Sequence, residues 1–210
     1  MRADAQRNRE LLLTAARDVF VEEGVDAPLE VIARRAGVGI ATLYRRFPDR
    51  QALMRAVVLD VLVRVTQEAR DALGDEPDGF RALARYLHRA LDHRIAAVMP
   101  VLDGQFALEE HEELQAARDE LASLFDAIVQ KAREHGLRTD VKSGDIGLMV
   151  IRLARPLPGS FPRDFDAAAA HRQLDIMLDG LRVGPGDRPH GALPQAGMSV
   201  EQVRGMRRKP

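Results

Sequence analysis

The sequence predicts an all-α protein, with a small three-helix unit at the N-terminus and a larger helical unit behind it. Three observations carry that expectation. Apolar residues return at three- and four-residue spacing in one segment after another, and glycine, proline and acidic clusters interrupt the chain where that spacing lapses. No segment shows the apolar–polar alternation of a half-buried strand. At 210 residues the chain suits one small module and one larger one, because domains commonly hold about 100–150 residues.

The first helix is expected from about Asp4 to Glu23: Leu12, Ala15, Ala16, Val19 and Phe20 share one face, and Gly24 ends it. From Leu29 to Phe47 the chain then reads LEVIARRAGVGIATLYRRF. Leu29, Ile32, Ala33 and Ala36 give a short second helix an apolar face, while Arg34 and Arg35 point elsewhere. Gly37 supplies the positive φ that stops it, and Val38 folds back as an apolar contact. A third helix, Gly39 to Phe47, is too short to stand alone in water and must be held by its neighbours through Leu43 and Phe47. Asp49 is the expected N-cap of a long fourth helix reaching about Leu73, with Leu53, Val57, Leu62 and Val65 on its buried side.

GDEPDG at Gly74–Gly79 is loop chemistry, after which Phe80, Leu83, Ala84, Leu87 and Leu91 restart a helical period. IAAVMPVLDG reads as a short apolar helix cut by Pro100 and closed near Gly104. A long amphipathic helix follows from about Phe106 to His135, with Leu114, Leu121, Leu124, Phe125, Ile128 and Val129 inward and Gly136 as its stop. Ser143 is the expected cap of a helix running to about Arg155, and a last helix covers roughly Arg163–Leu181. Beyond Val183, glycine, proline and charge dominate, and no apolar face offsets the entropy of ordering. The expected units are residues 1–50, residues 51–183 and a flexible tail, 184–210.

Composition narrows the function. Hydrophobic residues make up 46% of the chain, yet no run approaches the roughly 18–20 apolar residues that span a bilayer. Charges interrupt the apolar part of the N-terminus, unlike a secretory signal, so a cytoplasmic protein without membrane contact is expected. The absence of cysteine excludes disulfides, thiol chemistry and cysteine-ligated zinc. His88 and His93 are five apart, missing the i, i+4 pairing of helical zinc motifs, and HEEL at His111–Leu114 lacks a second histidine. With neither a glycine-rich phosphate loop nor G-x-S-x-G, the expectation is no enzyme, no cofactor and no metal. A net charge of −1 counts mildly against nucleic acid, but its distribution does not. Between Arg34 and Arg50 stand five arginines and one acid, Asp49, whereas EEHEE at Glu109–Glu113 concentrates negative charge far along the chain.

Two short helices around a glycine turn are the order of a DNA-binding helix-turn-helix. The free face of the second carries Ile40, Ala41, Thr42, Tyr44, Arg45 and Arg46, groups suited to a DNA groove and its phosphates. Over roughly residues 8–60 the chain resembles the N-terminal domain of TetR-family transcriptional repressors. The resemblance rests on a first helix ending at Phe20 and Gly24, on IARRAGVGIATLYRRF, and on Pro48, Asp49, Arg50 and Leu53 opening a fourth helix. The ending T-L-Y-x-x-F-x-x-[KR] appears as Thr42 through Arg50. Many family members carry serine and lysine where this chain has Gly39 and Ile40, so their preferred DNA sequence does not transfer.

On this reading the partner is double-stranded DNA, with the Gly39–Phe47 helix in its major groove. Thr42 and Tyr44 donate hydroxyl hydrogen bonds to phosphates, the positions the resemblance also implies, and Arg45, Arg46 and Arg50 neutralise backbone charge. Ile40 and Ala41 face base edges and contact thymine methyls; Arg45 or Arg46 reading guanine is the other possibility. Useful specificity needs two heads about 34–36 Å apart, hence a homodimer. The last two helices are its expected source: Asp145–Leu153 is apolar, and Phe165, Ala168, Ala169, Leu174, Met177, Leu178 and Leu181 follow, so Leu178→Arg is expected to give monomers. The resemblance implies the same four-helix interface, and a repressor released by a small-molecule effector. Candidate effector contacts are Met99, Leu102 and Phe106, with Tyr86, His88, His93, Phe125 and Arg152 as polar or aromatic groups. A transcriptional activator of the same fold, or a helical protein-interaction module on this scaffold, is the alternative.

Overall fold

Apolar periodicity becomes nine α-helices, with no strand, among the residues that the computed structural model describes: 2–95, 111–157, 162–183, 193 and 195–205. They are α1 (Arg2–Glu22), α2 (Leu29–Arg35), α3 (Ile40–Arg46), α4 (Arg50–Asp75), α5 (Gly79–Asp92), α6 (Glu112–Arg133), α7 (Ser143–Leu153), α8 (Arg163–Leu181) and α9 (Val200–Gly205). The expected IAAVMPVLDG helix, and with it Met99, Leu102 and Phe106, lies outside the described residues.

The head is α1–α3. Leu12, Val19, Ile32, Leu43 and Leu53 are fully buried where α1, α2, α3 and the start of α4 meet. Burying each such side chain is worth roughly 1.5–3 kcal/mol, and it is this shared core that holds a seven-residue α3 in place. The body is α4–α8: α4 packs on α5 and α6, α5 on α6, α7 and α8, and α7 on α8. Leu83, Leu87, Leu114, Ile128 and Ile146 are buried at its centre.

Helix ends follow local chemistry. Asp49 Oδ1 accepts from Ala52 N at 2.7 Å and Asp78 Oδ1 from Arg81 N at 2.9 Å, each capping the helix that follows. At the far end of α4, Lys131 Nζ donates to the carbonyls of Leu73 (3.0 Å) and Glu76 (2.6 Å), a cation on otherwise orphaned acceptors. The GDEPDG break is shorter than its composition suggests, since Gly74 and Asp75 still belong to α4 and Gly79 already opens α5. Gly79 is there for proximity: a Cβ on it would lie 2.1 Å from the Lys131 carbonyl oxygen on α6.

Two expectations are corrected. Ser143 is not the cap of α7 but its first residue, buried, and Asp145 Oδ2 instead returns to the Lys142 N–H at 2.9 Å. Nor is the chain beyond Val183 uniformly without structure. Residues 195–205 are described, and α9 packs on α7. Met198 N donates to Asp145 Oδ1 at 3.0 Å, Leu193 N to Asp140 Oδ2 at 3.0 Å, and Val200 packs against the core. Acceptors at the start of α7, together with one apolar contact, supply the anchoring that the composition of the segment hides.

Candidate nucleic-acid interface

The turn between α2 and α3 is set by Gly37, whose φ of 69° is one that side-chain-bearing residues rarely adopt. Gly37 N donates to Arg34 O at 3.1 Å and Val38 N to Ala33 O at 3.0 Å, closing the last turn of α2 while Val38 packs against the core. Gly39 is the N-cap of α3 and brings no side-chain acceptor; its carbonyl accepts from Thr42 N at 2.8 Å. Leu43 (0% exposed) and Phe47 (5%) then seat α3, so its opposite side must face out.

That outer side carries Ala41, Tyr44, Arg45 and Arg46, all exposed, with Tyr44 at 48%. Thr42 is half-buried beside them. Ile40 is also half-buried and packs against the core, so it is shared between the head's interior and the outer face.

The arginines divide into two groups. Arg45 and Arg46 have no ion-pair partner among the described residues, and the same holds for exposed Arg34 beside the turn. Arg35 is held by Glu22 at 2.8 Å and Glu23 at 3.6 Å, which ties α2 to the end of α1. Arg50 is half-buried, and its Nη1 donates to the carbonyls of Val25 and Ala27 at 2.6 Å each. Arg50 thus braces the α1–α2 turn, unlike the outward Arg45 and Arg46. An open groove of about 550 Å³ lies between that turn and the end of α3, lined by Asp26, Pro28, Leu29, Glu30, Tyr44, Pro48, Asp49 and Arg50. Three carboxylates make it a poor host for phosphate, so the cationic outer face and this acidic groove meet along Tyr44.

Head and body are joined by charge. Arg17 of α1 lies 3.2 Å from Asp60 of α4, which also holds Arg64 at 2.9 Å. Arg94, at φ 57°, lies 3.6 Å from Asp18 of α1.

Among the described residues, the candidate effector contacts do not converge on one lining. Tyr86 and Phe125 pack together in the core, 5.4 Å between centroids, and burial pushes the Tyr86 phenol well above its ordinary pKa. His88 turns to α8, His93 turns to Glu68 of α4 at 3.0 Å, and Arg152 is exposed on α7. Sequence reasoning did not single out Arg34, which stands exposed beside the turn while Glu22 and Glu23 hold Arg35.

A short helix seated by Leu43 and Phe47, with cations and a tyrosine on its free side, defines the helix-turn-helix class of bacterial regulators. Comparisons with known proteins agree. Residues 12–57 match the bacterial regulatory proteins, tetR family, and residues 78–183 match the transcriptional regulator SbtR-like, C-terminal domain. The crystal structure of the TetR transcriptional regulator SCO0520 from Streptomyces coelicolor is 34% identical, with a TM-score of 0.58 over 84% of this chain and 99% of that one. The HTH-type transcriptional regulator SAR2658 of Staphylococcus aureus (strain MRSA252) is 31% identical over 99 residues, 45% of this chain. The match spans only 54% of that relative's length. LfrR from Mycobacterium smegmatis, solved in complex with proflavine, shares the fold at 22% identity, with a TM-score of 0.56 over 81% of this chain and 95% of that one. The chain belongs to the tetR family of bacterial regulatory proteins, a family of transcriptional regulators and not of enzymes.

Proposed function

We propose that this protein is a homodimeric repressor that grips a pseudo-palindromic operator with one α3 from each subunit and leaves it when a small molecule enters the helical body. The observation that carries the reading is the outer face of α3, where Tyr44, Arg45 and Arg46 are exposed on a helix whose other side is buried. Tyr44 and Thr42 position α3 on phosphates, Ala41 and the exposed part of Ile40 meet thymine methyls, and Arg34, Arg45 and Arg46 supply the charge. Such a protein works where the chromosome is, in the cytoplasm; among the described residues no helix is long and apolar enough to cross a membrane.

Pairing through α7 and α8 is supported by what those helices leave uncovered. Ile176 of α8 is 62% exposed, while Leu148 and Ile151 of α7 are half-buried. Leu174, Leu178 and Leu181 are instead buried within the subunit, so Ile176, not Leu178, is the residue to alter. Release by a small molecule is supported by the LfrR complex, and requires that the ligand prefer the shape in which the two heads are misplaced for DNA.

The test is selection of bound genomic fragments, then affinity across a salt series for the wild type and an Arg45→Ala, Arg46→Ala variant. The expected result is a pseudo-palindromic site and a slope of log K against log salt that flattens by about 3–4 in the variant, four phosphate contacts being lost per dimer. No enriched fragment and identical slopes overturn the reading in favour of a protein-interaction scaffold.

A further inference from the structure

Two helices that are distant in sequence carry the same pattern, a histidine followed four residues later by an aspartate: His88 and Asp92 on α5, His171 and Asp175 on α8. At i, i+4 each pair lies on one helix face. The structure crosses them over. His88 Nε2 is 3.0 Å from Asp175 Oδ1, His171 Nε2 is 3.0 Å from Asp92 Oδ1, and the two Nδ1 atoms are 2.7 Å apart. The rings lie within 10° of parallel with centroids 5.0 Å apart. That separation equals the nitrogen gap plus one ring radius on each side, so the nitrogens face each other along the line between the rings. The contact is an in-plane hydrogen bond rather than a stack.

Counting hydrogens fixes the state of this chain of four groups. Each Nε2 faces a carboxylate, which only accepts, so each Nε2 carries a hydrogen. Two neutral rings would then oppose two Nδ1 lone pairs, and two imidazolium rings would oppose two N–H groups. Only one ring of each kind gives N–H···N. We propose that His88 and His171 form a proton-binding site that joins α5 to α8, holding one proton between them and losing the joint when that proton leaves or a second arrives.

The surroundings suit a single positive charge. On α5, Arg89 lies 3.5 Å from Asp92 and 3.9 Å from Glu68 of α4, and Glu68 also holds His93. On α8, Arg172 is exposed next to His171. On α7, Asp145 is engaged by Lys142 and Met198, and Arg152 is exposed; on α6, Lys131 is spent on the carbonyls of Leu73 and Glu76. His88 and His171 keep 29% and 32% of their side-chain surface, so protons exchange with solvent.

The sign of the pH effect follows. In the unfolded chain the two histidines bind two protons at acid pH and none at alkaline pH, whereas the joint needs one shared proton. The unfolded state therefore binds more protons on the acid side and fewer on the alkaline side, and the joint's contribution to stability is largest where one proton is held and falls as pH moves either way from there. Because α8 carries Ile176, this joint also fixes where that exposed side chain sits relative to α5.

The full chain without DNA, labelled with ¹⁵N-histidine, tests this. The expected NMR result is a strongly deshielded N–H···N proton and two deprotonation steps of the pair more than one pH unit apart. Two independent titrations at a single ordinary midpoint overturn the proposal with no variant required. A second measurement is the melting temperature from pH 5 to 9 for the wild type and for His88→Asn, His171→Asn. The wild-type curve minus the variant curve is expected to show a maximum within that range that drops by several degrees on each side; a flat difference overturns the joint.

Discussion

Arg17 of α1 and Asp60 of α4 meet at 3.2 Å with 12% and 16% of their side chains exposed, so the head is fastened to the long helix by an ion pair largely out of water. Desolvation is the main reason the Arg17 pKa is lowered, with Asp60 acting in the opposite direction. Removing the acid strands the cation, whereas an apolar replacement for the cation keeps the packing. Asp60→Ala is expected to destabilise by about 1–3 kcal/mol and Arg17→Met by less, read from urea midpoints. Equal losses would mean that the pair does not govern this junction.

Asp78 caps α5, and the Arg81 N–H it accepts from is the first reason its carboxyl is held below the usual carboxylate range. The folded value is the lower one, so the cap's contribution is complete above the unfolded pKa of about 3.9 and is lost as pH falls through the depressed value. Asp78→Ala is expected to cost about 0.5–2 kcal/mol at pH 7 and progressively less toward pH 2, by chemical denaturation at each pH. A cost independent of pH would assign it to packing.

Gly144 sits beneath the returning C-terminal segment, and a Cβ there would lie 2.4 Å from the Met198 carbonyl oxygen. Gly144→Ala is expected to lift residues 195–205 from α7 and to speed their proteolysis several-fold, with little change in the melting of the body. Unaltered cleavage would show that the segment is held elsewhere.

Ile176→Arg is expected to convert a dimer to a monomer in light scattering, because it places charge on the exposed side of α8, while leaving helicity intact. A dimer of unchanged mass would move the pairing surface away from Ile176.

What the sequence made legible was local. Gly37, Asp49 and the Leu43–Phe47 anchors announce themselves because a turn, a cap and an i, i+4 pair are decided within a few residues. What it concealed was partner choice across distance. Arg50 looks like any cation beside a reading helix until the Val25 and Ala27 carbonyls come within 2.6 Å. His88 and His171, 83 residues apart, read as unrelated histidines until α5 and α8 pack. α8 is apolar on more than one side, so its period cannot separate inward Leu178 from outward Ile176. Asp145 hid the cap of α7 by acting from inside the helix, where Ser143 was the more conspicuous residue.

Just beyond α6 and α8 the backbone closes on itself. Leu137 and Arg182 form an isolated antiparallel bridge, Arg138 N donates to Leu181 O at 3.1 Å, and Val183 N donates to Gly136 O at 2.8 Å. The chain leaves at residue 137 and comes back to the same point at 182, so everything between them is an excursion whose two feet stand side by side. Residues can be added or lost within it without the loss having to be absorbed by α6 or by the head. A lineage can therefore remodel α7 and α8 while the helix-turn-helix end stays as it is.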